Sequence, residues 1–135
     1  MSNFRESSQL NIRVRLDENS ITPDATNISE ILSTTIQSPA VSLAKRIYTA
    51  GQQARLIQNP NKNDKMVYIK NAGVTDFSVQ EATGGGSVGN TYAAIASGEV
   101  MLFRLKKNID IWLTNVSNAT NGKIEFSYWE CKSNV

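Results

Sequence analysis

A chain of 135 residues with a formal net charge of +2, one cysteine and no histidine has the size of one soluble domain whose own core can suffice for folding. The missing imidazole excludes the Ser-His-Asp triad, the Cys-His dyad and histidine metal sites, and the single cysteine excludes an intrachain disulfide. No apolar run approaches the roughly 18 residues of a membrane span, and the charged opening MSNFRESSQLNIRVR does not read as a secretory signal, so the expected site of synthesis is a cytosol.

Ser, Thr and Asn make up 38 of the 135 residues, and Ile, Val and Thr make up 31, against only 8 Leu and 7 Glu. That balance favours strands and turns over helices, and predicts an all-β domain.

Residues 1 to 9 are polar and unpatterned. Leu10, Ile12, Val14 and Leu16 then alternate with Asn11, Arg13 and Arg15, the pattern of a half-buried strand. Residues 1–20 are therefore expected to form an N-terminal arm, with a single β-sandwich over 21–135. Asn27, three residues before Glu30 and next to Ile28, Ile31 and Leu32, reads as a helix cap followed by a short apolar stripe. One short helix over 28–34 is the reading taken, although the β-branched Thr34, Thr35 and Ile36 fit a strand equally well.

From Val41 onward short apolar runs recur at about the 8–12 residue spacing of a sandwich or barrel. The expected strands are 41–49, 54–58, 66–71, 77–82, 100–105, 109–114 and 123–131, with turn residues between them. In the last two, Ile109, Ile111 and Leu113 alternate, as do Ile124, Phe126 and Tyr128, and Asn121-Gly122 stands between them as a hairpin-turn signal. The same alternation puts Trp112 and Trp129 on strand faces opposite the core, where a tryptophan packs under a second layer, anchors a protein interface or stacks on sugar.

Sequence signals of catalysis are thin. The stretch Gly84 to Thr91 has the glycine spacing of a phosphate-binding loop but carries Asn90 where that loop needs lysine, so it reads as a surface loop. The carboxylate pairs Asp17/Glu18 and Glu125/Glu130 read as solvated charges, because a glycosidase pair must be held about 5–9 Å apart with one member in an apolar pocket. No calcium-loop pattern occurs, and Arg13, Arg15, Lys106 and Lys107 are too sparse and too diluted by acids to track a phosphate backbone. No cofactor, metal, nucleic acid, membrane or small-molecule substrate is therefore expected. The N-x-S/T triplets at Asn27, Asn115 and Asn118 are chance matches in a chain this rich in Asn, Ser and Thr.

Lys65-Met-Val-Tyr-Ile-Lys-Asn-Ala-Gly73, Val74 to Val79, Ser97-Gly-Glu-Val-Met-Leu-Phe-Arg-Leu105, Asn108-Ile-Asp-Ile-Trp-Leu113 and Asn121-Gly-Lys-Ile-Glu-Phe-Ser-Tyr-Trp129 form a block covering about residues 65–131. It resembles small virion proteins of tailed bacteriophages, the head decoration or cement proteins and related jelly-roll modules of fibres. The resemblance implies an antiparallel two-sheet jelly-roll sandwich and a non-enzymatic structural role on the capsid surface, in the virion after synthesis in the host cytoplasm. It further implies the major capsid protein or other virion subunits as partners, and a homotrimer. Leu10, Ile12, Val14, Leu16, Trp112 and Trp129 are the candidate interface residues. The alternative function is a carbohydrate- or host-binding module of a tail or fibre.

Overall fold

The computed structural model describes residues 8–17, 27–36, 43–59, 63–83 and 86–131. Ten strands account for most of them: β1 (Ser8–Asp17), β2 (Asn27–Ile36), β3 (Ala44–Tyr48), β4 (Gln53–Ile57), β5 (Lys65–Asn71), β6 (Phe77–Thr83), β7 (Thr91–Ile95), β8 (Val100–Leu105), β9 (Ile109–Asn115) and β10 (Gly122–Glu130). No described residue is helical, so the helix expected over 28–34 is replaced by strand β2, which pairs antiparallel with β1 from Ser8 opposite Ile36 to Asp17 opposite Asn27. The β-branched residues of that stretch favour an extended chain, and a full-length partner decides a segment whose local preferences are balanced.

β1 and β2 form a two-stranded sheet of their own, separate from two four-stranded sheets ordered β3-β10-β5-β8 and β4-β9-β6-β7. Because β2 lies in the hairpin, residues 27–36 belong with the N-terminal element rather than with the sandwich, which begins at β3. In the sandwich, β3 pairs with β10, β4 with β9, β5 with β8 and β6 with β7, all antiparallel. Four nested pairs of this kind amount to one long hairpin rolled up on itself. Rolling brings β10 beside β5 and β9 beside β6 and closes a jelly roll.

The core follows from period-two alternation. Val67 and Ile69 of β5, Phe77 and Val79 of β6, Ile111 and Leu113 of β9 and Ile124 of β10 are fully buried between the sheets. Tyr48 meets Phe77 edge to face at 5.3 Å between ring centroids. Each such side chain contributes roughly 1.5–3 kcal/mol by leaving water.

Inward-pointing asparagines close one end of the sandwich. Asn115 Nδ2 donates to the carbonyls of Tyr48, Thr49 and Thr120 at 3.2, 3.1 and 2.9 Å. Asn71 Nδ2 serves those of Thr75 and Ile95 at 2.7 and 3.0 Å. These amides take the place of water at carbonyls that the ends of a closed sandwich would otherwise leave bare.

Asn121-Gly122 does not join a hairpin, since β9 and β10 lie in different sheets. Gly122 is there for space: a Cβ on it would stand 2.5 Å from Phe77 Cζ. β7 has no counterpart among the strands expected from sequence. Its Thr-Tyr-Ala-Ala-Ile is short and alanine-rich, and it forms a sheet edge paired only through β6.

Candidate functional site

Strand β5 points Val67 and Ile69 inward, so Met66 emerges on the outer face of the first sheet, opposite Trp129 of β10 on one side and Arg104 of β8 on the other. Met66, Leu102, Trp129 and Cys131 make a second apolar cluster there, and Ile12 of the hairpin packs on it. This contact attaches the hairpin to the sandwich. Burial pushes the Cys131 thiol above its ordinary value, against the lowering influence of Arg104. At the margin, Arg104 Nε donates to Asp64 Oδ2 at 2.9 Å and the Lys107 N–H to Asp64 Oδ1 at 2.9 Å. These hydrogen bonds hold the Asp64 carboxyl below the usual carboxylate range.

Ile12 shares its face of β1 with Val14 and Leu16, yet these two remain 52% and 49% exposed, while Ile31 of β2, 61% exposed, stands opposite Arg13 and so belongs to the other face. Arg13 and Arg15 are exposed on the opposite face. Of the three apolar residues Ile12, Val14 and Leu16 on this face of β1, Ile12 alone is seated on the cluster. Leu10 lies on the same strand, opposite Thr34. Each hairpin strand is ten residues long, about 33 Å of backbone.

The two candidate tryptophans face outward, but from different sheets. Trp129 joins Ile12, whereas Trp112 sits on the outer face of the second sheet, with the Arg55 guanidinium 5.4 Å from its ring centroid. Arg55 Nε is 3.4 Å from Asp110 Oδ2, and Trp112 Nε1 is buried without a hydrogen-bond partner. Beside them a polar ladder crosses four strands. Gln53 Nε2 donates to Thr114 Oγ1, Thr114 Oγ1 to Gln80 Oε1 and Gln80 Nε2 to Thr91 Oγ1, each at 3.1 Å. Its members satisfy one another, which ties the sheet together and leaves fewer free groups for a ligand.

A cleft of about 290 Å³ opens beside the glycine-rich stretch, lined by Glu81, Thr83, Ser87, Gly89, Asn90 and Ile109 among others. The amides of Gly86 and Gly89 donate to the carbonyls of Thr83 and Glu81 at 2.6 and 2.8 Å, so they are engaged by the end of β6. Among the described residues no three His, Cys, Asp or Glu side chains converge as a metal site. Glu125 and Glu130 emerge on opposite faces of β10: Glu130, paired with Lys65, follows the core phase of Ile124, and Glu125 the outer one. Glu18 lies outside the described residues, and with it the Asp17/Glu18 pair.

Sequence reasoning placed Ile12 and Trp129 off the core and missed their partners Met66, Leu102 and Cys131. The available signal was phase, since Met66 and Leu102 are apolar at positions where their strands turn outward.

No family model and no curated protein matches the chain. Solved structures with similar topology are distant. A chain from a structure of Bacillus endospore appendages, described as a novel family of disulfide-linked pili, is 18% identical with a TM-score of 0.47, over 70% of this chain and 89% of that one. The cupin domain of Drosophila melanogaster CENP-C is 9% identical with a TM-score of 0.45, over 93% and 81%. CENP-C bound to CAL1 from the same fly is 8% identical with a TM-score of 0.44, over 84% and 74%.

Proposed function

We propose that the chain is a non-catalytic structural subunit that attaches to neighbouring virion proteins through its β1–β2 hairpin, as a decoration or cement protein on a capsid surface. The observation that carries this reading is the apolar row of β1, seated on the sandwich by Ile12 and left half exposed at Val14 and Leu16. A free two-stranded ribbon is marginal in water. A partner that covered Val14 and Leu16 would stabilise the hairpin while gaining an apolar contact, and its own strand could extend the ribbon by main-chain pairing. A homotrimer presenting three hairpins fits the role, since three weak attachments made together exceed any one of them.

The alternative, a carbohydrate-binding module, would use Trp112 as a stacking platform. It is the weaker reading because Arg55 already occupies one side of that ring.

The test is a Val14→Asp, Leu16→Asp variant. Both side chains are half exposed, so the sandwich is expected to remain folded. Burying the rest of each is worth about 1 kcal/mol, so binding to capsids should weaken at least tenfold. Undiminished binding by a folded variant, in a sedimentation assay with particles, would overturn the proposal.

A further inference from the structure

Lys65 opens β5 and points between the two sheets at the end of the sandwich away from Asn71 and Asn115, with 5% of its surface exposed. Its Nζ donates to Asn59 Oδ1 at 2.5 Å and stands 4.0 Å from Glu130 Oε1 and 5.8 Å from the centroid of the Tyr128 ring. Asn59, fully buried in the segment that follows β4, is held at three points. Its backbone N–H donates to Asp110 Oδ1 at 2.8 Å, its Nδ2 donates to the Lys106 carbonyl at 3.0 Å, and its Oδ1 accepts from Lys65. A carboxamide C=O bond is about 1.23 Å long, so Nζ lies no more than about 3.7 Å from Asn59 Cγ. That is close to the 3–3.5 Å of a reactive pair. An amine, a carboxamide carbon and a carboxylate thus meet in a site where the amine and carboxamide are shielded from water.

We propose that Lys65 and Asn59 condense into an intramolecular isopeptide bond that joins the two sheets. Glu130 takes a proton from the Lys65 ammonium, and the freed amine attacks Cγ, forming the Nζ–Cγ bond. Glu130 returns the proton to Nδ2, the Cγ–Nδ2 bond breaks as the carbonyl re-forms, and ammonia leaves. The surplus proton on Nζ passes through Glu130 to the departing ammonia. One ammonium ion is released, Glu130 ends as it began, and no oxidant or other reactant is needed. The Lys106 carbonyl fixes the plane of the carboxamide, and Asn63 Nδ2, 3.5 Å from Glu130 Oε2, helps to place the carboxylate. The Lys65 ammonium is buried while its counter-charge, Glu130, is 4.0 Å away and partly in water, so the pair only partly offsets the cost of burying the charge. Condensation removes that charge from the interior, which favours the product.

Tandem mass spectrometry of the tryptic digest tests this on the unmodified full chain. The expected result is a joined pair, residues 56–62 with 63–70, lacking about 17 Da and uncut at Lys65. Cyclisation of Asn121-Gly122 would place the same mass loss in a different peptide and leave 56–62 and 63–65 free, which would overturn the proposal, as would release of both peptides at full mass. A Glu130→Gln variant keeps the size of the side chain and should show at least tenfold less of the joined pair after equal incubation. Equal joining would overturn the proton-transfer role of Glu130.

Discussion

Tyr48 shows how much one side chain can be asked to do. Its ring fills the core against Phe77, its hydroxyl donates to the Ala54 carbonyl at 3.0 Å, and the Arg46 guanidinium lies 4.9 Å from its centroid. Burial pushes the phenol up to about 12 from an ordinary 10, with Arg46 opposing in part. The neutral phenol is therefore the form the fold favours. Its contribution to stability is fully present below the unfolded value near pH 10 and is lost as pH rises through about 12. Urea midpoints measured from pH 9 to 12 should fall more steeply in the native protein than in a Tyr48→Phe variant. At neutral pH that variant should be less stable by about 1–2 kcal/mol, because it leaves the Ala54 carbonyl without its donor. Identical slopes would show that the phenol does not couple to folding.

At the scale of elements, the hairpin depends on a contact that chemistry can report. Cys131 is buried beside Ile12, and its thiol is held in the unreactive form by that burial. Ile12→Asp should lift the hairpin from Met66 and Trp129, and alkylation of Cys131 under native conditions should accelerate about tenfold or more. An unchanged rate would mean that the sandwich alone shields the thiol.

Legibility from sequence divides along the same lines. The outward phase of Trp112 and Trp129 and seven of the eight sandwich strands follow from alternation, because one buried face imposes a period of two. β2 was ambiguous because its β-branched and helix-capping residues are interleaved, and only the partner strand β1 decides between them. Lys65 carried no signal, since a strand-end lysine reads as solvated until the fold closes around it. Its partners Asn59 and Glu130 come from two other segments, and Asp110, which holds the Asn59 backbone, from a third.

For the whole molecule the nested pairing has a consequence for cooperativity. β3 and β10, far apart in sequence, are neighbours, so the first sandwich strand cannot leave its sheet without exposing an edge of the last. The sandwich should open as one unit, whereas the hairpin, attached through Ile12, should open by itself. Amide exchange is expected to be at least a hundredfold faster in β1 and β2 than in β5, β9 and β10. Equal protection would indicate that the hairpin is an integral part of the domain.

The two tryptophans of the chain lie on opposite outer faces, one beneath the hairpin and one beneath an arginine of the second sheet. The protein thereby carries two optical reporters with separate audiences. Emission from Trp129 follows the docking of the arm, and emission from Trp112 follows the integrity of the sheet behind it. Replacing either with phenylalanine leaves a single-colour view of one event, so that attachment to a partner and loss of the fold can be watched apart in the same cuvette.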